Sequence, residues 1–110
     1  MIILFMKQFI EKILSGEKTV TRRTNPKWSD YSRIGKTFTA RAGRTGKGFV
    51  KLRIVSIYYE EYPAAERNNE QEAFLEGFGS WYDFVLCYQE INGEKSINEP
   101  CYRIEFKVAK

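Results

Sequence analysis

The chain has 110 residues, 43% of them hydrophobic and 15% aromatic, enough for one domain with a modest core and no disulfide or metal staples. It has no histidine, and its two cysteines, Cys87 and Cys101, form no CxxC pair, so the commonest zinc ligand and the commonest neutral-pH base are missing and no metal is expected. The net charge of +4 is unevenly divided: residues 1–53 carry 13 Lys and Arg against three acids, residues 54–110 five against 11. A basic half suits a polyanion, with RNA or DNA the usual candidate, unless the two halves interleave and neutralise each other.

No apolar run approaches the roughly 18 residues of a membrane span, so no membrane partner is expected. Residues 1–5 are apolar but lack a basic n-region and a cleavage site, so they read as a first strand and not as a signal peptide. Reduced thiols fit a cytoplasmic protein. Phe5, Phe9 and Ile13 then recur every four residues beside Ile10 and Leu14, which predicts an amphipathic helix over 6–15 with Gly16 as its cap. Lys18, Thr19, Thr21, Arg22 and Arg23 follow at once, in a stretch that reads as a strand over 18–23. Strict alternation would put Lys18 and Arg22 on one side and Thr21 and Arg23 on the other, so a pocket shared by Lys18 and Thr21 needs a turn or bulge between them.

Residues 24–35 read as an irregular loop opened by Asn25-Pro26, with Trp28 and Tyr31 available either to stack on bases or to close over the core. Strands are predicted over 37–42 and 49–60, joined by a basic tip, Gly43-Arg44-Thr45-Gly46-Lys47-Gly48, that fails the Walker pattern and precedes a strand. Arg41, Lys51 and Arg53 are expected on the outer side of this hairpin. Alternation breaks at Ser56, as at a bulge. Pro63 can begin a short helix. Helices follow over 70–77, ending at Gly77, and 81–92, opened by a Ser80-x-x-Asp83 box; Trp81, Phe84, Val85, Tyr88 and Ile91 on the second are core at this spacing. Residues 94–100 are a loop and 101–108 a last strand. There is no repeat and no linker, so residues 1–110 form one domain.

Gly16, Lys18-Thr19-Val20-Thr21 and Arg23, following Phe9 and Ile13-Leu14, resemble the signature of the ASCH domain family in the PUA-like superfamily. Ser32-Arg33-Ile34-Gly35 before a strand, Leu75-Glu76-Gly77-Phe78 before a helix and a last strand ending Ile104-Glu105-Phe106 keep the family's order. The resemblance implies an α+β, PUA-like mixed β-barrel of five to six strands with two to three helices.

Without histidine, a base must be a lysine of lowered pKa or a carboxylate of raised pKa. Lys18 has Arg22 and Arg23 as sequence neighbours; deprotonated, it would take the proton of Thr21 for attack on a carbonyl carbon, with a glutamate protonating the leaving group. The resemblance implies the same residues: the acetylcytidine amidohydrolase branch uses a Lys, a Thr and a Glu that correspond to Lys18, Thr21 and Glu76, with Glu70 or Glu72 serving if the register slips. This chain departs from that branch in carrying Arg22 where an apolar residue is usual, and in a longer helical region after Gly77. By the same resemblance, another branch is associated with RNA cleavage, and a third use of the domain is RNA binding alone. Arg22, Arg23, Arg41, Arg44, Lys47 and Trp28 are the candidate nucleic-acid or substrate contacts, and no cofactor is expected. The structural alternative is a Lys18–Glu76 ion pair that merely ties motif to helix.

Overall fold

The computed structural model describes residues 1–44, 46–63 and 69–109. Five strands, β1 (Ile2–Phe5), β2 (Val20–Arg23), β3 (Thr37–Ala42), β4 (Gly48–Glu60) and β5 (Cys101–Val108), form one sheet in the order β1-β3-β4-β5-β2. The β1–β3 pair is parallel and the others antiparallel. The sheet curls into a half-barrel, so the architecture is α+β, with β1 and β2 as its outer strands. Phe5, Phe38, Leu52, Ile54, Ile104 and Phe106 fill one core, with Phe9 and Ile13 packed into it. A second cluster, Ala73, Trp81, Phe84, Tyr88 and Cys101, lies under the helices α2 (Glu70–Leu75) and α3 (Trp81–Asn92). With apolar layers on both sides of part of the sheet, β2 is buried at Val20, Thr21 and Arg22 alike, and alternation does not mark its faces by exposure.

The expected helix over 6–15 is a 3₁₀ turn at Lys7–Phe9 followed by α1 (Ile10–Ser15), which ends at Gly16 with φ +85°. The loop over 24–35 contains 3₁₀ turns at Pro26–Ser29 and Tyr31–Arg33, and the stretch after Gly93 another at Glu94–Asn98. Asn25 and Asp30 seed the first two by accepting the amides of Lys27 and Ser32. The break at Ser56 is a register shift between β4 and β5, and a second shift at Ala40/Arg41 turns the end of β3. The helix expected to begin at Pro63 lies outside the described residues. Ile91, expected in the core, is 62% exposed in the last turn of α3, beyond the buried run that ends at Tyr88.

Candidate active-site groove

The strand expected over 18–23 begins only at Val20, and this delay builds the site. After Gly16 the amide of Lys18 donates to Lys12 O at 3.0 Å and that of Thr19 to Leu75 O at 3.0 Å, so neither joins the sheet ladder through its amide. Lys18 is therefore free of strand alternation, and its neighbour is stitched to the end of α2. That end is closed by paired bonds from Gly77 N–H to Phe74 O (2.9 Å) and from Phe78 N–H to Ala73 O (2.9 Å), the signature of a left-handed glycine cap. Gly77 has φ +97°, and a Cβ there would stand 3.0 Å from Phe9 and 3.3 Å from the Lys18 stem. The glycine is required twice, by its backbone and by the side chains beside it.

Glu76 is thereby set against Lys18. Lys18 Nζ donates to Val20 O (2.7 Å), to the Glu76 carbonyl (2.5 Å) and to Glu76 Oε1 (3.3 Å), and it lies 4.7 Å from the Phe9 ring centre. Lys18 and Glu76 are 2% and 4% exposed. Burial pulls the Lys18 ammonium down to about 8, against the restoring pull of Glu76 and with a further push from Arg23 and Arg22. Glu70 and Glu72 do not face Lys18: Glu70 accepts the amide of Trp81 at 3.2 Å, and Glu72 pairs with arginines.

Thr21 Oγ1 accepts from Arg23 Nε at 3.1 Å, and Arg23 Nη2 donates to Leu4 O at 2.6 Å. Arg23 thus bridges β2 and β1, the outer strands of the sheet. Burial lowers it to about 10 although Glu76 pulls it the other way. Arg22 points into a knot of carboxylates: Nε to Glu60 at 2.8 Å, Nη2 to Glu72 at 2.5 Å and Nη1 to Glu76 Oε2 at 3.0 Å. Arg103, its partner across the β2–β5 ladder, grips Glu72 at 2.6 Å. Burial would discharge Arg22, but its bonds to Glu60 and the charges of Glu76 and Glu60 outweigh it and raise the group.

These side chains form the floor of a groove of about 840 Å³ that Lys18, Thr21, Arg22, Arg23 and Glu76 all line. Its walls include Phe5, Met6, Phe84, Cys87 and Ile91, and its cationic rim Lys7, Lys27, Arg41 and Arg44. Among its described lining residues, Glu76 is the one carboxylate. Among the described residues, no group of His, Cys, Asp and Glu is arranged to hold a metal, and no helix is long and apolar enough to cross a membrane.

Three expectations change here. Trp28 is 2% exposed and packs on Phe38 with ring centres 5.4 Å apart, so its face serves the core and not a stacked base. Arg22, expected at a ligand, is held by three carboxylates. Arg41 does not lie on the outer side of the hairpin: after the register shift it turns back to the carbonyls of Gly46 (2.7 Å) and Arg44 (2.9 Å) and lines the groove. Arg44, Lys47, Lys51 and Arg53 are exposed, and Lys47 is outside the groove lining. Sequence reasoning missed Glu60 and Arg103 as partners of the motif and offered Glu72 to Lys18, where it pairs with Arg22 and Arg103; the available signal was the acidic excess of the second half. Both cysteines are free, Cys101 buried with its thiol on Glu60 at 3.4 Å and pushed up to about 12 by burial and Glu60.

The fold is that of solved ASCH domains. The chain superposes on the ASCH domain from Lactobacillus crispatus with TM-score 0.65 and 20% identity, over 89% of this chain and 68% of that one. It is also similar to a variant of ZmASCH from Zymomonas mobilis, at 0.63 and 17% over 96% and 67%. Over 98% of its length it matches a hypothetical protein, PH0355, with TM-score 0.73 and 16% identity, covering 97% of that chain. No family profile and no curated protein matches the sequence.

Proposed function

We propose that this chain is a small amidohydrolase acting on an acylated nucleoside or on RNA bearing one, with Lys18 as base, Thr21 as nucleophile and Glu76 as proton carrier. The observation that carries this reading is a buried lysine, lowered to about 8, seated on Glu76 in the floor of a groove that Thr21 also lines. At pH 7 roughly a tenth of such a lysine is neutral, an adequate reservoir for a general base.

The chemistry runs as follows. Neutral Lys18 turns from Val20 O to Thr21 and takes the Oγ1 proton, and Oγ1 bonds to the acyl carbon. Arg23, whose Nε already donates to Oγ1, stabilises the negative charge that builds on Oγ1 as its proton leaves and then turns to the acyl oxyanion that forms on attack. The proton passes from Lys18 to Glu76, 3.3 Å away, and on to the leaving nitrogen as the C–N bond breaks. Water then attacks the threonyl ester, giving a proton to Lys18. Lys18 returns that proton to Thr21 Oγ1 as the ester C–O bond breaks and the acid departs, which restores both groups.

A second reading, an RNA-binding module without chemistry, is favoured by the cationic rim of Lys7, Lys27 and Arg44 around the same groove. The two separate in a panel of acylated nucleosides and labelled single-stranded RNA offered to purified protein. Turnover of acetylcytidine, with kcat/KM rising one decade per pH unit and levelling near pH 8, supports the hydrolase. Micromolar RNA binding with a steep salt slope and no product makes the module the function.

A further inference from the structure

The chemistry above uses Lys18, Thr21 and Glu76 and leaves Arg22 without a part. Arg22 is 5% exposed, and its fork is filled on every side: Nε and Nη2 on Glu60 (2.8 and 3.3 Å), Nη2 also on Glu72 (2.5 Å). Each of those two carboxylates has another partner, Cys101 on Glu60 and Arg103 on Glu72, so the anchor is itself held. Those bonds alone would fasten β2 to β4 and α2. The remaining nitrogen, Nη1, reaches Glu76 Oε2 at 3.0 Å, on the carboxylate whose other oxygen meets Lys18 at 3.3 Å.

We propose that Arg22 is a positioning residue for Lys18: its guanidinium, anchored on Glu60 and Glu72, holds Glu76 by Oε2 and withholds half of that carboxylate from Lys18. The inference rests on Lys18 being the base of the proposed reaction. A planar, rigid fork suits the task, because its nitrogens keep fixed directions while the two anchors hold it; an ammonium on a flexible stem does not. The groups facing Lys18 are Glu76 from the turn after α2, Arg22 and Arg23 from β2, and the Cys87 thiol of α3. Two guanidinium groups against one divided carboxylate leave the ammonium undercompensated. Loss of Arg22 removes a like charge and frees Oε2 for Lys18, and both changes favour the protonated lysine.

The test follows the Lys18 side-chain amine by NMR through a pH titration of the full chain as wild type, R22M and R22M/E60Q. The double variant removes one charge of each sign, so the fold is not left with excess buried carboxylate. Lys18 is expected to titrate about one unit higher in both. The pH midpoint of kcat/KM on acetylcytidine should move with it, giving about tenfold less turnover at pH 7 and recovery near pH 10. R22K, which keeps the charge and loses the fork, should fall between and rescue part of the loss. Lys18 titrating at the wild-type pH in the folded variants overturns the proposal and reduces Arg22 to a structural tie. The two readings fail separately: an inert wild type with a shifted Lys18 removes the hydrolase and keeps the Arg22–Lys18 coupling, whereas an active enzyme with an unmoved Lys18 removes the positioning role alone.

Discussion

Two groups of cations from the same basic half meet opposite fates. In the floor of the groove, Lys18 and Arg22 are buried and share Glu60, Glu72 and Glu76, all from the acidic half, with Arg103 alongside. At the hairpin tip, Arg44 and Lys47 stand exposed, with no ion pair to any described residue. The two halves therefore interleave at the floor, while the cations of the tip stay apart from them in solvent. Charge counted along the chain gives no indication of which cation is which, because pairing is decided by what packs against β2. A buried cation must be matched by a carboxylate or discharged, whereas an exposed one is matched by water and salt.

The largest effects belong to the floor. On the proposed reaction, Lys18→Met and Thr21→Ala should each reduce acetylcytidine turnover by at least about a thousandfold with the fold retained, and the double variant should be no worse, since there base and nucleophile act as a unit. Additive losses would break the unit. Lys18 leaves a second mark, on stability. Its folded value of about 8 lies below the unfolded 10.5. Between those values the unfolded chain binds more protons, so wild-type stability should rise with pH across that window, and Lys18→Met should remove the rise in denaturant titrations.

Trp28→Ala should cost about 4 kcal/mol by urea unfolding, the loss expected of a buried aromatic and far beyond that of an exposed ring kept for bases. A loss under about 1 kcal/mol with weakened RNA binding would return Trp28 to the ligand side of the comparison. Glu72→Gln should cost about 1.5 kcal/mol, because it weakens the charged bonds of Arg22 and Arg103 while Arg22 keeps Glu60 and Glu76. Burial pushes Glu72 up, but the bonds from Arg103 and Arg22 prevail and hold it below the ordinary glutamate range. Its contribution is thus complete above its unfolded value and lost as pH falls through the folded one, so the variant should show a flatter acid limb. An unchanged limb would mean that Glu72 is not the carboxylate Arg22 depends on. The smallest stability effect, within about 0.5 kcal/mol, is expected for the Arg44→Ala/Lys47→Ala pair, while the salt slope of RNA binding flattens by about one unit per lost contact. An unaltered slope and affinity would show that the tip is merely solvated.

What the sequence determined by itself was local. Period-four apolar spacing, alternation in 37–42 and 101–108, the break at Ser56 and the stops at Gly16, Gly77 and Gly93 each depend on neighbours a few residues away, and they fixed the elements and most of their ends. The order of those elements, with the Gly16–Arg23 motif, was enough to indicate an ASCH-like fold. Tertiary structure alone decided the pairings. It chose Glu76 over Glu70 and Glu72 for Lys18, because Thr19 is bonded to Leu75 at the end of α2. It also released Lys18 from alternation by starting β2 two residues late, gave Trp28 to the core and enclosed Arg22 among carboxylates 38 to 54 residues away. Such choices depend on burial and on the low dielectric it creates, and neither exists until distant segments pack together.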